Sequence, residues 1–259
     1  MRINRKNWLL VLPLSLAFGN VQAAESGHFE SSVSGAHVTG PYEGGKSFKS
    51  SALFNLDGKD RLGVSYQALN AWGESTNYMN VRYVGYITPD VWVDSNFSGS
   101  DRNAITAKLR GNAMINWGIA DKGLILGAGF DRYTMRSGGG SSAVRTMLVK
   151  YLEGIPVALQ INASLARSDM NHRLGGNAGS SIQYGHERQW IIAAGGEYGR
   201  VHYELVRQPG TIADYRSTSY FASGRYWLGK DWGMSTRYSG VINHYYTRNE
   251  VEMGVFVDF

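Results

Sequence analysis

Alternation of apolar and polar residues is the feature that most limits how this chain can fold. In the terminal segment Val251–Phe259 every second residue is apolar, and Glu252 and Asp258 lie on the opposite face. The segments 105–117, 124–131 and 155–166 follow the same pattern. Successive side chains of a β-strand point to opposite faces, and we find no long stretch with helical periodicity. The sequence therefore predicts an all-β chain in which each strand has one apolar face.

Turn residues divide the chain into hairpins whose connections alternate between short and longer ones. Tight turns are predicted at Asp57–Asp60, Thr88–Asp90, Asp121–Gly123, Glu153–Gly154, Gly199–Arg200 and Gly229–Asp231. Looser loops are predicted at Gly40–Gly45, Gly73–Ser75, Ser100–Arg102, Ser137–Ser142, Asp169–Glu187, Gln208–Asp214 and Asn243–Arg248. This alternation is typical of a transmembrane antiparallel up-and-down β-barrel. We predict about fourteen strands of about ten residues each, with twelve as the alternative.

The N-terminal segment has the features of a cleaved signal peptide. Arg2, Arg5 and Lys6 precede the apolar run Trp8–Phe18, which is too short to cross a bilayer as a helix. Small residues favour cleavage after Ala23. We therefore expect residues 1–23 to be a signal peptide for export to the periplasm, and residues 24–259 to form a barrel in the outer membrane of a Gram-negative cell. Tyr and Trp near the strand ends predict aromatic girdles at the two membrane interfaces.

Charge and cysteine content argue against several other functions. The formal net charge is +5, but three of the cations lie in the predicted signal peptide, so the barrel itself is close to neutral. That balance gives no support for nucleic-acid binding. The chain has no cysteine, which excludes disulfides, thiol nucleophiles and thiolate metal ligands. No lipase serine motif, phosphate-binding loop or zinc-ligand spacing is found, so we predict no catalytic residue, metal or cofactor.

The C-terminal strand ends on Phe259. An amphipathic final strand with a terminal Phe resembles the recognition signal of the barrel assembly machinery of the outer membrane. We therefore expect that machinery to be a partner, together with outer-membrane lipid and lipopolysaccharide.

Four short segments resemble small outer-membrane barrels of the YaiO type. They are Leu53–Leu56, Arg225–Gly233, Tyr245–Arg248 and Val255–Phe259. The resemblance implies a compact barrel associated with exopolysaccharide, so that a polysaccharide is an expected partner. We know no diagnostic motif of the family, and no functional residue is transferred from it.

Charged residues at the predicted lumen positions are the candidates for a ligand or channel site. The cations are Arg82, Lys108, Arg110, Arg225 and Arg237, together with Lys49 and Lys150, and the acids are Asp94, Asp131, Glu197, Glu204 and Glu252. One interpretation is structural, with opposite charges on neighbouring strands forming ion pairs. The other is a charged channel whose cations favour anionic solutes. Arg225 and Arg237, on neighbouring strands, form the best local candidate for a polar binding strip.

Two further hypotheses rest on single segments. His202 and Glu204 share one predicted face, and Glu197 is expected across a hairpin from them. Such a trio can hold a metal, transfer protons or form a structural ion pair. The long loop predicted at Asp169–Glu187 is a candidate surface for receptor or adhesin function, or a plug for the lumen.

These observations favour a non-enzymatic integral outer-membrane barrel, acting as a narrow, porin-like pore or as an accessory of exopolysaccharide export. Two alternatives stay open at this stage. One is an outer-membrane enzyme acting on lipid or surface polymer, and the other is a surface receptor or adhesin that binds through its outer loops.

Overall fold

A computed structural model gives the fold of the chain. It describes residues 27–39, 44–56, 60–71, 74–101, 107–135, 139–169, 172–205 and 208–259, without the side chains of Glu74 and of residues 201–215. The predicted signal peptide, residues 1–23, lies outside the described residues. No helix in these ranges is long and apolar enough to cross a membrane.

The described residues form one closed antiparallel barrel of fourteen strands, which confirms the predicted fold class and strand number. The strands are β1 Gly27–Val38, β2 Gly45–Leu56, β3 Asp60–Ala71, β4 Glu74–Thr88, β5 Val91–Ser100, β6 Leu109–Ile119, β7 Leu124–Thr134, β8 Gly140–Tyr151, β9 Val157–Ser168, β10 Leu174–His186, β11 Trp190–Leu205, β12 Gln208–Trp227, β13 Trp232–Asn243 and β14 Thr247–Asp258. Each strand pairs with its sequence neighbours, and β1 pairs with β14 to close the barrel.

The two ends of the barrel differ. We call the end that holds β1's first residue, β14's last residue and the turn Thr88–Val91 the turn end, and the opposite end the loop end. At the turn end, the backbone N–H of Phe259 donates to the carbonyl of Gly27 over 2.9 Å, so the described chain closes the sheet with its last residue. At the loop end, β11 and β12 are 16 and 20 residues long and extend past their neighbours.

The outer face of the barrel is a continuous apolar band. Its middle is formed by large, exposed apolar side chains from most strands: Val33, Val81, Phe97, Ile115, Phe130, Val144, Ile161, Ile182 and Met253. Trp117, Tyr184, Trp190 and Tyr226 lie on this face within two residues of the turn end of their strands. Exposed apolar area of this extent is unfavourable in water and favourable in hydrocarbon.

Charged side chains on the described outer face avoid the middle of the band. They lie near strand ends or, in the long β11 and β12, level with the loop ends of the neighbouring strands: Lys46, Asp60, Arg132, Lys150, Arg167, Arg200 and Arg216. Lys150 was predicted in the lumen, and that prediction is wrong. Its register partners Leu124 and Leu159 place it on the outer face, where its ammonium donates to the carbonyl of Lys122 at the turn end.

Three predicted connections lie wholly or partly in strands of the structure, and the first two errors offset each other in the strand count. The segment predicted as the long loop Asp169–Glu187 contains β10, which pairs with β9 and β11. The predicted turn at Gly199–Arg200 lies inside β11. A Cβ at residue 199 would approach the Cβ of Asn177 to 2.4 Å, so this glycine serves close strand contact rather than a turn. The loop predicted at Gln208–Asp214 is likewise part of β12.

Candidate functional site

The lumen is lined by polar and charged side chains because every second residue of each strand points inward. Arg82, Arg110, Arg225 and Arg237 all occupy lumen positions, since their register partners on neighbouring strands share the inner face. Lys108 directly precedes β6 at the loop end, where its backbone N–H donates to the carbonyl of Thr134 over 2.9 Å.

One group of lumen residues, which we call the arginine wall, lies on five successive strands from β4 to β8. Its members are Arg82, Asp94, Arg110, Asp131 and Arg145. The Arg82 guanidinium donates to both oxygens of Asp94, over 2.9 and 2.5 Å. Asp131 lies between two cations, 2.6 Å from Arg110 Nη2 and 3.5 Å from Arg145 Nη1.

The arginines of this wall are closer to the water of the lumen than the acids that they bind. The Asp131 side chain is 5% exposed, whereas the Arg110 and Arg145 side chains are 40% and 41% exposed. Arg82 and Asp94 show the same order, with 49% and 30%. The carboxylates therefore lie against the barrel wall, and a solute in the lumen meets guanidinium groups first.

A second group, which we call the seam cluster, lies at the turn end where β1 meets β14. Its members are His28, Glu30, Arg225, Trp227, Ser235, Phe256 and Asp258. Arg225 on β12 donates to Glu30 on β1 over 2.6 Å, although β13 and β14 lie between these two strands. Ser235 donates to the other oxygen of Glu30 over 2.6 Å. Three strand spacings correspond to about 14 Å along the wall, so this contact bridges the curved inner surface.

Aromatic rings fill the space beneath this bridge. The Phe256 side chain is 1% exposed and is the largest fully buried side chain among the described residues. The Arg225 guanidinium lies 4.7 Å from its ring centroid, and the Trp227 ring packs edge-on against it at 5.0 Å. The indole of Trp227 also donates to Asp258 over 2.9 Å, while Asp258 contacts His28 Nδ1 at 2.6 Å. Every polar member of the cluster therefore has a partner.

Further side-chain contacts connect β1 and β14 toward the loop end. Ser32 donates to Glu252 over 2.5 Å and Ser34 donates to Glu250 over 2.5 Å. Arg248 in turn donates to Glu250 over 2.6 Å. The predicted lumen position of Glu252 is confirmed, and its partner is a serine across the seam.

The predicted polar strip on β12 and β13 has the expected register but two different environments. Arg225 pairs in register with Ser235, and Arg237 pairs with Ser223. The Arg225 guanidinium is bound within the seam cluster. The Arg237 guanidinium lies 4.4 Å above the ring centroid of Phe221, a cation–π contact that leaves its N–H groups at the lumen surface. Whether this strip binds a ligand stays a prediction.

His202 and Glu204 do not meet Glu197 as expected, because the hairpin predicted between them is absent. β11 continues through all three residues, and its register places positions 202 and 204 on the outer face, opposite to Glu197, so the lumen position predicted for them is wrong. The side chains of His202 and Glu204 lie outside the described ones. The amide of Asn177 donates to Glu197, and the Asn162 amide lies 3.5 Å from it. Among the described residues, no three His, Asp or Glu side chains are arranged to hold a metal ion.

Sequence reasoning missed several lumen residues that the structure brings together. It named neither Arg145 nor the seam residues His28, Glu30 and Asp258 as lumen pairs, although their alternate positions in strands were a usable signal. The contacts of Glu30 could not be found that way, because Arg225 is 195 residues away in the sequence.

The closed sheet and the apolar outer band define a membrane-spanning β-barrel of the outer-membrane type. The sequence matches no protein-family model and no curated protein. Solved outer-membrane barrels share the fold. A bacterial polysaccharide outer membrane secretin superimposes with a TM-score of 0.58 at 10% identity, over 90% of this chain and 98% of that one.

Two further structures show the same architecture. Omp33 of Acinetobacter baumannii gives a TM-score of 0.55 at 9% identity, over 91% of this chain and 100% of its own. The CymD monoaromatic hydrocarbon channel gives 0.55 at 8% identity, over 92% of this chain and 89% of that chain. At such identities the likeness is one of fold.

Proposed function

We propose that this protein is a non-enzymatic pore of the bacterial outer membrane that favours anionic solutes. The observation on which the proposal depends is the layering of charge in the lumen. In five Arg–carboxylate pairs among the described residues of the inner face, the arginine side chain is more exposed than that of its acidic partner. A lumen whose innermost charges are cations attracts anions and repels cations, even when its net charge is small.

The width of the barrel supports a narrow pore. Eight strands leave an interior that side chains fill, and sixteen leave a wide aqueous channel. Fourteen strands lie between these cases. A lumen of this width, lined by long arginine side chains, would be a narrow and charged passage.

Features of the sequence support a biological setting for this pore. The predicted signal peptide of residues 1–23 and the terminal Phe259 support export to the periplasm and insertion by the barrel assembly machinery. The resemblance to YaiO-type barrels supports an association with exopolysaccharide, and an acidic polysaccharide or its fragments would be anionic solutes of the kind that the lumen favours. The loop end then faces the cell exterior.

Planar-bilayer recording tests the pore. Folded protein should give discrete channel events, and in a tenfold KCl gradient the reversal potential should have the sign of a chloride preference. Heat-modifiable gel mobility verifies folding in the same sample. An absence of events from folded protein would remove the pore, and a potassium preference would remove the role assigned to the exposed arginines.

A further inference from the structure

A groove on the apolar outer band spans strands β4 to β7. Its volume is about 470 Å³, and its apolar lining includes Val81, Tyr83, Phe97, Gly111, Ala113 and Phe130. Gly111 and Ala113 on β6 form the floor because they have little or no side chain. Phe97 and Phe130 are their respective register partners on β5 and β7, so the two rings stand on opposite sides of the floor.

The groove has the dimensions and polarity of a hydrocarbon-chain site. The strands β5 and β7, which carry Phe97 and Phe130, are two strand spacings apart, about 10 Å between backbones, which leaves room for one extended chain between the two rings. Phe97 is 59% exposed and Phe130 is 49% exposed, so neither ring fills the space. Because the groove lies within the band that faces the bilayer, its occupant is lipid rather than a soluble ligand.

Positive charge lies at the loop end of the groove. Arg132 is the register partner of Gly111 and lies two residues beyond Phe130 on the same face of β7. Its guanidinium donates to the hydroxyl of Ser142 over 2.7 Å, and Ser142 is the register partner of Arg167 on β9. Two arginines therefore stand on either side of one hydroxyl, on the outer face and near the loop end.

One carboxylate shares this region. Asp169 lies 3.1 Å from Arg132 Nη2, and both groups are substantially exposed, with 37% and 50% of their side chains accessible. Cations therefore outnumber the acid, and an exposed pair of this kind is weak enough for a second anion to compete.

We propose that the groove and the two arginines form a binding site for a phosphorylated membrane lipid of the leaflet at the loop end. One acyl chain lies between Phe97 and Phe130, and a phosphate accepts hydrogen bonds from Arg132, Arg167 and Ser142. The inference rests on the part of the proposed function that places the barrel in the outer membrane, and it does not depend on the pore. It goes beyond a general attraction to lipid because it assigns the chain and the headgroup to named residues.

Native mass spectrometry of the barrel in a non-ionic detergent tests the site. The probes are diphosphoryl lipid A, phosphatidylethanolamine and inorganic phosphate. The wild type should retain one lipid A in preference to phosphatidylethanolamine. The double variant Arg132→Gln and Arg167→Gln should weaken retention about tenfold, since charge-assisted hydrogen bonds to phosphate are lost.

A groove-filling variant tests the chain-binding part separately. A Cβ at residue 111 would have its nearest described neighbour at 3.8 Å, so Gly111→Leu fills the groove without straining the backbone. It should reduce lipid A retention several-fold. Gly224→Leu is the matched control, because Gly224 is an outer-face glycine of β12 whose added Cβ would lie 3.6 Å from Thr236. Heat-modifiable mobility verifies that each variant is folded.

Three results would overturn the lipid site. They are equal retention by the wild type and the arginine variant, equal retention by Gly111→Leu and Gly224→Leu, and displacement of the lipid by millimolar inorganic phosphate alone. Channel recording on the same samples separates this proposal from the pore. Wild-type protein that conducts ions but retains no lipid would contradict only the lipid site. Wild-type protein that retains lipid but does not conduct would contradict only the pore.

Discussion

The arginine wall and the seam cluster both contain arginines bound to carboxylates, but these ion pairs have different surroundings. In the arginine wall, each pair joins two adjacent strands, as in Arg82 with Asp94 and Arg145 with Asp131. In the seam cluster, Arg225 reaches past two strands to Glu30 and covers the buried ring of Phe256. The arginines of the arginine wall face the lumen, whereas charged groups of the seam cluster pack against aromatic rings.

This difference teaches that the environment of an ion pair, more than its charge, decides whether the pair contributes to stability or to the electrostatic potential of the lumen. A pair beside open water contributes little to stability but shapes the local potential. A pair over a packed ring contributes through contact and desolvation as well. We therefore expect substitutions in the seam cluster to change stability. Substitutions in the arginine wall should change ion preference, and at Asp131, whose side chain is buried, they should change stability as well.

The largest effect is expected at the centre of the seam cluster. Phe256→Ala leaves a cavity beneath Arg225 and beside Trp227, and should lower the free energy of unfolding by about 3 kcal/mol. Guanidinium unfolding in phospholipid vesicles measures this loss. The control is Phe221→Ala, which removes a half-buried lumen ring under Arg237 and should cost less. Equal losses for the two variants would contradict the special role of the seam.

The second largest effect is expected for Asp131→Asn, which should change both stability and ion preference. It removes the buried charge between Arg110 and Arg145, which should cost about 2 kcal/mol and leave two cations in mutual repulsion. The chloride preference should rise, as measured by the reversal potential. Asp94→Asn is the milder control, since Asp94 is 30% exposed and is bound by one arginine. An unchanged or reduced chloride preference in Asp131→Asn would argue against the layered lumen.

Glu30→Gln should have a smaller effect that is confined to the seam. The amide keeps one acceptor for Arg225 or Ser235 but loses the charge, so we expect a loss of about 1 kcal/mol. Hydrogen exchange should quicken at the backbone amides of β1 and β14. Amides of β6 and β7, far from the closure, serve as the internal reference. Faster exchange at all strands alike would show that the cluster does not act locally.

The smallest change in stability is expected for Arg82→Gln. Arg82 is half exposed and its pair with Asp94 faces water, so stability should change by no more than about 0.5 kcal/mol. The chloride preference should nevertheless fall, because one of the innermost cations is lost. Lys46→Gln, on the outer face near the loop end, should leave ion preference unchanged. A similar shift in both variants would indicate a long-range effect of net charge instead of a lumen effect.

Part of the fold could be predicted because barrel strands have a local signature. The alternation in Glu250–Phe259 and the turn residues at Thr88–Asp90 or Gly229–Asp231 depend only on neighbouring residues. β10 escaped prediction because its sequence, with four Gly and two Ser among thirteen residues, has low strand propensity. Its backbone pairs with β9 and β11 because closure of the barrel leaves no edge, so the sheet determines its conformation.

The residues of the lumen and of the outer face also divide into those that the sequence could place and those that it could not. Arg82, Arg110 and Arg237 could be placed inward from alternation alone, within strands whose limits were clear. Lys150 was misplaced because it lies at the end of a strand, where one residue decides the face. His202 was misplaced relative to Glu197 because a glycine needed for close strand contact was taken as a turn.

The sequence by itself determined the class of structure, since a period of two is a local property that each segment shows independently. It also determined which residue types were available for the lumen. Only the tertiary structure decided their partners, because closing the sheet places β1 beside β14 and sets the register between strands that are far apart in the chain. The bridge from Arg225 to Glu30 and the groove below Arg132 exist only in that register.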